Sequence, residues 1–113
     1  MRWFLRSKIF KATVTDANVN YEGSITIDEE LIEKSGLLPK EKVMVVSNTT
    51  GARLETYVIV GERGSRVICM NGASAHMIKK GEEIIIMGFE LADVPPAARA
   101  ILVDNENRFV RYL

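Results

Sequence analysis

The sequence predicts a small closed β-barrel, mainly β with one or two short helices, and three observations predict it. Most of the chain divides into short segments that alternate apolar with polar residues, or run apolar with many β-branched residues, which is the pattern of strands. Clusters of Gly, Pro, Asn and Asp recur between these segments as turn signals. Only one stretch carries both start and stop signals for a helix. At 113 residues the chain fits one domain, 1–113, of a size at which association with further copies helps to cover apolar surface.

The first strand is expected from Ser7 to Thr15, with Phe10, Ala12 and Val14 on one face. Asp16-Ala17-Asn18 has turn chemistry, and Val19-Asn20-Tyr21 returns as a short extended piece. From Ser24 to Ile27 the alternation puts Ile25 and Ile27 on one side and Ser24 and Thr26 on the other. Asp28 is a good N-cap, Glu29 and Glu30 suit the positive end of a helix, and Ser35-Gly36 ends it. Pro39-Lys40-Glu41 turns into the buried strand Val43–Val46. Asn48–Gly51 then makes a turn to Arg53–Val60, whose period of two places Arg53, Glu55 and Tyr57 on one side and Thr56 on the other. A tight loop at Gly61–Ser65 leads to a strand from Arg66 to Met70. The small residues of Asn71-Gly72-Ala73-Ser74-Ala75-His76 let the backbone approach a ligand, and their amides can point at an anion. After the Lys79–Glu82 turn comes the strand Glu83–Phe89. Pro95-Pro96 breaks the chain, and Ile101–Val103 with Arg108–Tyr112 forms a final hairpin.

Fifteen basic residues balance fifteen acidic ones, so no long-range field draws the protein to nucleic acid or to an anionic membrane. Any anion it binds must be met by individually placed cations. The single cysteine, Cys69, stands in the apolar run Val67–Met70 and is expected as a small core residue in a reducing, cytoplasmic setting. Arg6 and Lys8 interrupt the apolar start too early for a signal peptide, and no segment approaches the length of a membrane span.

Chemistry centres on Tyr21-Glu22-Gly23-Ser24. Gly23 has no side chain to shield its carbonyl, and it tolerates backbone geometries closed to other residues; Ser24 carries a hydroxyl within reach of that carbonyl. In a twisted peptide with its oxyanion stabilised, this hydroxyl can add to the carbonyl and turn the amide into an ester. Elimination and hydrolysis then leave Gly23 as a new carboxyl terminus and Ser24 as an N-terminal pyruvoyl group. Gly-Ser is equally a common turn dipeptide, and the pair alone does not decide. Singly, the other candidates also have ordinary readings: Lys8 and Arg53 as surface charges, Tyr57 as an amphipathic strand residue, Asn71-Gly72 as a turn. His76 is the only histidine, and with one cysteine and no ligand spacing a metal site is not expected. The Gly-x-Ser-x-Gly elbow of hydrolases is missing.

Taken in order, Lys8, Tyr21-Glu22-Gly23-Ser24, Thr49-Thr50-Gly51-Ala52-Arg53 with Thr56-Tyr57, Gly61-Glu62-Arg63-Gly64-Ser65 and Asn71-Gly72-Ala73-Ser74-Ala75-His76 resemble the pyruvoyl-dependent aspartate 1-decarboxylase family. The likeness runs from about residue 8 to about residue 89, more loosely to the end. It implies a double-psi β-barrel, a cytoplasmic homotetramer, and conversion of L-aspartate to β-alanine and carbon dioxide for pantothenate biosynthesis. It also implies autocatalytic cleavage between Gly23 and Ser24 into a short N-terminal and a longer C-terminal chain. Ser24 would become the covalent pyruvoyl group that forms a Schiff base with substrate, in place of a metal or pyridoxal phosphate. By the same resemblance, Tyr57 is the proton donor, and Thr56 holds the scissile carbonyl and touches substrate. Lys8 and Arg53 meet carboxylates, Gly72, Ala73 and Ser74 line the substrate site, and Tyr21 and Asn71 support it. Arginine suits this role because its fork takes a carboxylate at two points. Phe10 stands where many relatives have a histidine and Val46 where some have a tryptophan.

A second resemblance covers Gly23 to Leu37, followed by Pro39 and a Val-rich strand: the swapped-hairpin DNA-binding module of AbrB-type transcription factors. That alternative needs no covalent chemistry. It leaves Arg53, Thr56, Tyr57 and Asn71-Gly72-Ala73 without a role, and the chain has no basic stripe for phosphates.

Overall fold

The longest strand, β1 (Arg2–Thr13), lies within the sheet rather than at its edge, antiparallel to β7 (Glu83–Ala92) and parallel to β8 (Arg99–Val103). The computed structural model describes residues 1–113. Between β1 and β7 the chain makes β2 (Asp16–Asn18), β3 (Ser24–Asp28), helix α1 (Glu29–Ser35), β4 (Lys42–Ser47), β5 (Arg53–Gly61), β6 (Ile68–Asn71) and a 3-10 helix at Gly72–His76; β9 (Phe109–Tyr112) closes the sequence. All nine strands form one strongly curled sheet in the order β2-β6-β3-β5-β4-β7-β1-β8-β9. It wraps an apolar interior as a small β-barrel, the class that the alternation predicts.

That interior is built mainly from β-branched side chains. Ile9, Ile25, Ile27, Val45, Ile84 and Ile86 are fully buried, and each contributes roughly 1.5–3 kcal/mol on leaving water. The helix begins and ends as predicted. The Asp28 carboxylate accepts the Glu30 amide at 2.8 Å, and Gly36 closes the helix in the left-handed conformation at φ 76°. Asp28 also accepts the amides of Gly64 and Arg66, at 3.0 and 2.7 Å, so one buried carboxylate ties the helix start to the loop before β6.

Four local expectations are corrected. β1 starts at Arg2, because its first residues pair with β7 as a two-stranded ribbon, Trp3 opposite Leu91 and Leu5 opposite Phe89, which needs no buried face. Within β1, Lys11 adopts φ 67° and the register shifts between Ile9 and Ala12. This bulge turns Ile9, Ala12 and Val14 inward and leaves Phe10 half-buried outside. The segment Asp16–Asn18 is a strand parallel to Cys69–Asn71, and the turn lies after it. Asn18 does make an Asx turn, but its acceptor reaches the amide of Asn20, at 2.9 Å, which moves the turn onto the residues expected to be extended. Finally, β6 starts at Ile68 because Arg66 sits at φ 62°; Ile68 and Met70 take the interior, so Cys69 faces outward and is half-buried rather than core.

Candidate active site

The outward face of three neighbouring strands forms the site. β3 pairs antiparallel with β6, Ser24 opposite Asn71 and Thr26 opposite Cys69, and parallel with β5, Ile25 beside Val58. The inward residues Ile25, Val58 and Met70 fill the core. Their alternates Ser24, Thr26, Tyr57, Ile59 and Asn71 therefore face the other way, into an open cavity of about 420 Å³ completed by Asn20, Tyr21 and Glu22.

Ser24 is only 3 % exposed. Its Oγ accepts a hydrogen bond from Asn71 Nδ2 at 2.9 Å and donates a long one to the Glu22 carbonyl at 3.4 Å. The second hydrogen of that amide goes to Thr26 Oγ1, also at 2.9 Å, and Asn71 Oδ1 accepts from Cys69 Sγ at 3.2 Å. Burial, and secondarily the Asp16 carboxylate, push the Cys69 thiol above its ordinary pKa, so it is a protonated donor at neutral pH. Sequence reasoning placed Ser24, Tyr21, Tyr57 and Asn71 here but missed Thr26 and Cys69. The alternation of β6 against β3 was the available signal for both.

Of the two glycines that the sequence singles out, Gly72 rather than Gly23 is the one whose missing side chain the fold uses. Gly23 does not use the left-handed region, and a Cβ there would meet open space. Gly72 is at φ 71°, and a Cβ on it would lie 2.6 Å from Gly23 Cα, 2.7 Å from Gly23 N and 2.9 Å from the Tyr21 carbonyl. The Gly23–Ser24 segment thus rests directly on Gly72, where any side chain would push it away.

Gly72, Ala73 and Ser74 make the 3-10 helix after β6, and Ser74 Oγ donates to the Asn71 carbonyl at 2.9 Å. The remaining candidates are not gathered at Ser24. Thr56 shares the inward-pointing side of β5 with Val58 and makes no side-chain hydrogen bond. Arg53 is exposed at the start of β5, beside Val46, without an ion pair. Lys8 lies on β1 beside Met87 and Ala100, its Nζ 5.2 Å from the centre of the Phe10 ring. His76 is exposed at the end of the 3-10 helix, and no three His, Cys, Asp or Glu side chains group as a metal site.

A family model described as aspartate decarboxylase matches residues 1–110. The chain is 52 % identical to the aspartate 1-decarboxylase of Pelotomaculum thermopropionicum, over 94 % of this chain and 83 % of that protein. To that of Bacillus subtilis it is 46 % identical, over 99 % and 91 %. To that of Desulfitobacterium hafniense strain DCB-2 it is 50 % identical, over 97 % and 90 %.

Proposed function

The chain belongs to the aspartate decarboxylase family, and from that membership we propose that it converts L-aspartate to β-alanine and carbon dioxide, the β-alanine serving pantothenate synthesis, after cutting itself between Gly23 and Ser24. The observation that carries this is the Ser24 hydroxyl, buried at the floor of a cavity, held by Asn71, with the preceding glycine seated on Gly72.

In the first step Ser24 Oγ bonds to the Gly23 carbonyl carbon, the C–N bond breaks, and the hydroxyl proton ends on the departing nitrogen. Loss of the residue 24 α-proton then breaks the Cβ–O bond, which frees the Gly23 carboxylate. Water takes the place of the remaining nitrogen, released as ammonia. The residues fit a pyruvoyl group at position 24, since the cavity opens in front of Ser24 and Asn71 offers an N–H donor beside it. Such a carbonyl group supplies the electron sink that decarboxylation of an amino acid needs and that unmodified side chains lack.

The chain's own residues do the rest. Tyr57 faces the cavity from β5, and its phenol returns a proton to the carbon that loses carbon dioxide. Thr56, next to it in the chain, holds the scissile carbonyl during maturation and touches substrate. Arg53 holds one substrate carboxylate in a two-point fork and Lys8 answers the second charge, with Gly72, Ala73 and Ser74 forming the wall. Because Lys8 and Arg53 stand on β1 and the start of β5, outside the Ser24 cavity, a neighbouring copy brings them to it. The exposed apolar side chains of Trp3, Phe89 and Leu91 on the β1–β7 ribbon favour such a homotetramer.

Mass spectrometry of the denatured protein tests the proposal. Two pieces divided after Gly23 are expected, the larger lighter by one ammonia than simple hydrolysis would leave it. Ser24→Ala should give one uncut, inactive chain. An intact wild-type chain would overturn the scheme, and would be the result expected of the swapped-hairpin DNA-binding alternative.

A further inference from the structure

We infer that Cys69 is a positioning residue for the cleavage, setting which end of the Asn71 carboxamide faces Ser24. The inference rests on the self-cleavage proposed above.

A carboxamide is nearly symmetric in shape, so what surrounds it decides between its two orientations. Here the amide nitrogen spends both hydrogens on hydroxyl oxygens, Ser24 Oγ and Thr26 Oγ1. Thr26 could instead donate to an oxygen placed there, and Ser24 could do so by giving up only its long 3.4 Å bond to the Glu22 carbonyl, so this side chooses weakly. The choice falls to the far side, where the Cys69 thiol gives Asn71 Oδ1 the only hydrogen bond it receives. The other acceptor near that thiol, the Met70 carbonyl, lies 3.9 Å away. A flipped amide would turn its N–H groups onto sulfur, a weak acceptor, and its oxygen onto Ser24.

The orientation matters to the reaction. With an N–H aimed at Ser24 Oγ, negative charge that develops as the hydroxyl loses its proton is stabilised, and the hydroxyl hydrogen stays off Asn71, held only by the long bond to the Glu22 carbonyl. With an oxygen there, Ser24 donates its proton to Asn71 and the developing charge meets a lone pair. The cross-strand pairing of Thr26 with Cys69 places the thiol one pleat beyond Ser24, close enough to steer Asn71 without touching the bond that breaks.

The test follows cleavage of freshly produced, uncut protein by mass spectrometry over time in wild type, Cys69→Ala and Cys69→Ser. Melting of each change on a Ser24→Ala background reports folding apart from cleavage. Cys69→Ala should slow cleavage about three- to tenfold, the worth of one hydrogen bond, with Tm little changed, whereas Cys69→Ser keeps a donor and should cleave near the wild-type rate. Wild-type cleavage with Cys69→Ala equally fast, or with Cys69→Ser as slow as Cys69→Ala, would overturn the role of Cys69 alone. An equal loss of Tm and rate in Cys69→Ala that serine does not restore would also overturn it, as a packing effect. Wild-type protein that never cleaves would overturn the self-cleavage itself.

Discussion

Gly72 separates two demands that look alike in sequence, freedom of the backbone and absence of a side chain. Its φ of 71° is open to glycine, and its missing Cβ is the space that Gly23 occupies. Gly72→Ala should therefore lower stability by about 1–3 kcal/mol through backbone strain and, because it displaces the scissile segment, slow cleavage by at least about tenfold. A cleavage time course beside a melting curve checks both. Tyr57→Phe removes only the phenolic oxygen from the cavity wall. It should leave cleavage intact and reduce decarboxylation at saturating aspartate by about 100-fold or more, read by carbon dioxide release. Ser24 was legible because a hydroxyl after glycine has intrinsic chemistry. Close approach at Gly72 was legible too, but not that the approaching group is Gly23, since that contact joins residues far apart in sequence.

Asp28 does at the scale of elements what Gly72 does at one bond. It caps α1 and also satisfies the Gly64 and Arg66 amides, so it joins the end of β3, the helix and the loop before β6. Asp28→Ala leaves three amides without that acceptor, two of them in the exposed loop before β6. A loss of about 2–3 kcal/mol is expected, seen as a lower Tm on the uncut Ser24→Ala background. The capping role was written in the sequence, because an N-cap depends on residues within one turn; the loop contacts were not. The same distinction accounts for the misplaced elements. Asp16–Asn18 pairs with Cys69–Asn71 although its own residues favour a turn, and the Lys11 bulge shifts a face that strict alternation assigned to Phe10. Local pattern names the elements, and cross-strand partners fix their phase.

At the scale of the whole molecule, the barrel class followed from the strand pattern, but the distribution of the site did not. Lys8 belongs to β1, away from the Ser24 strands in the sheet, and Arg53 stands at the far end of β5, the strand whose Tyr57 lines the cavity. The position of β1 has its own consequence for the cut molecule. The leading fragment would hold the strand that sits between β7 and β8, together with β2 at the far edge of the same sheet. The two pieces would stay laced together through every turnover, yet once separated by urea they would have to find each other in dilute solution. Recovery of the cleaved enzyme should become second order and accelerate as protein is added, while one subunit's worth of uncut Ser24→Ala barrel regains its sheet at a rate that dilution leaves alone. Stopped-flow refolding at several concentrations would read this directly: the proposed maturation would turn the folding of the barrel into a reunion of two strangers.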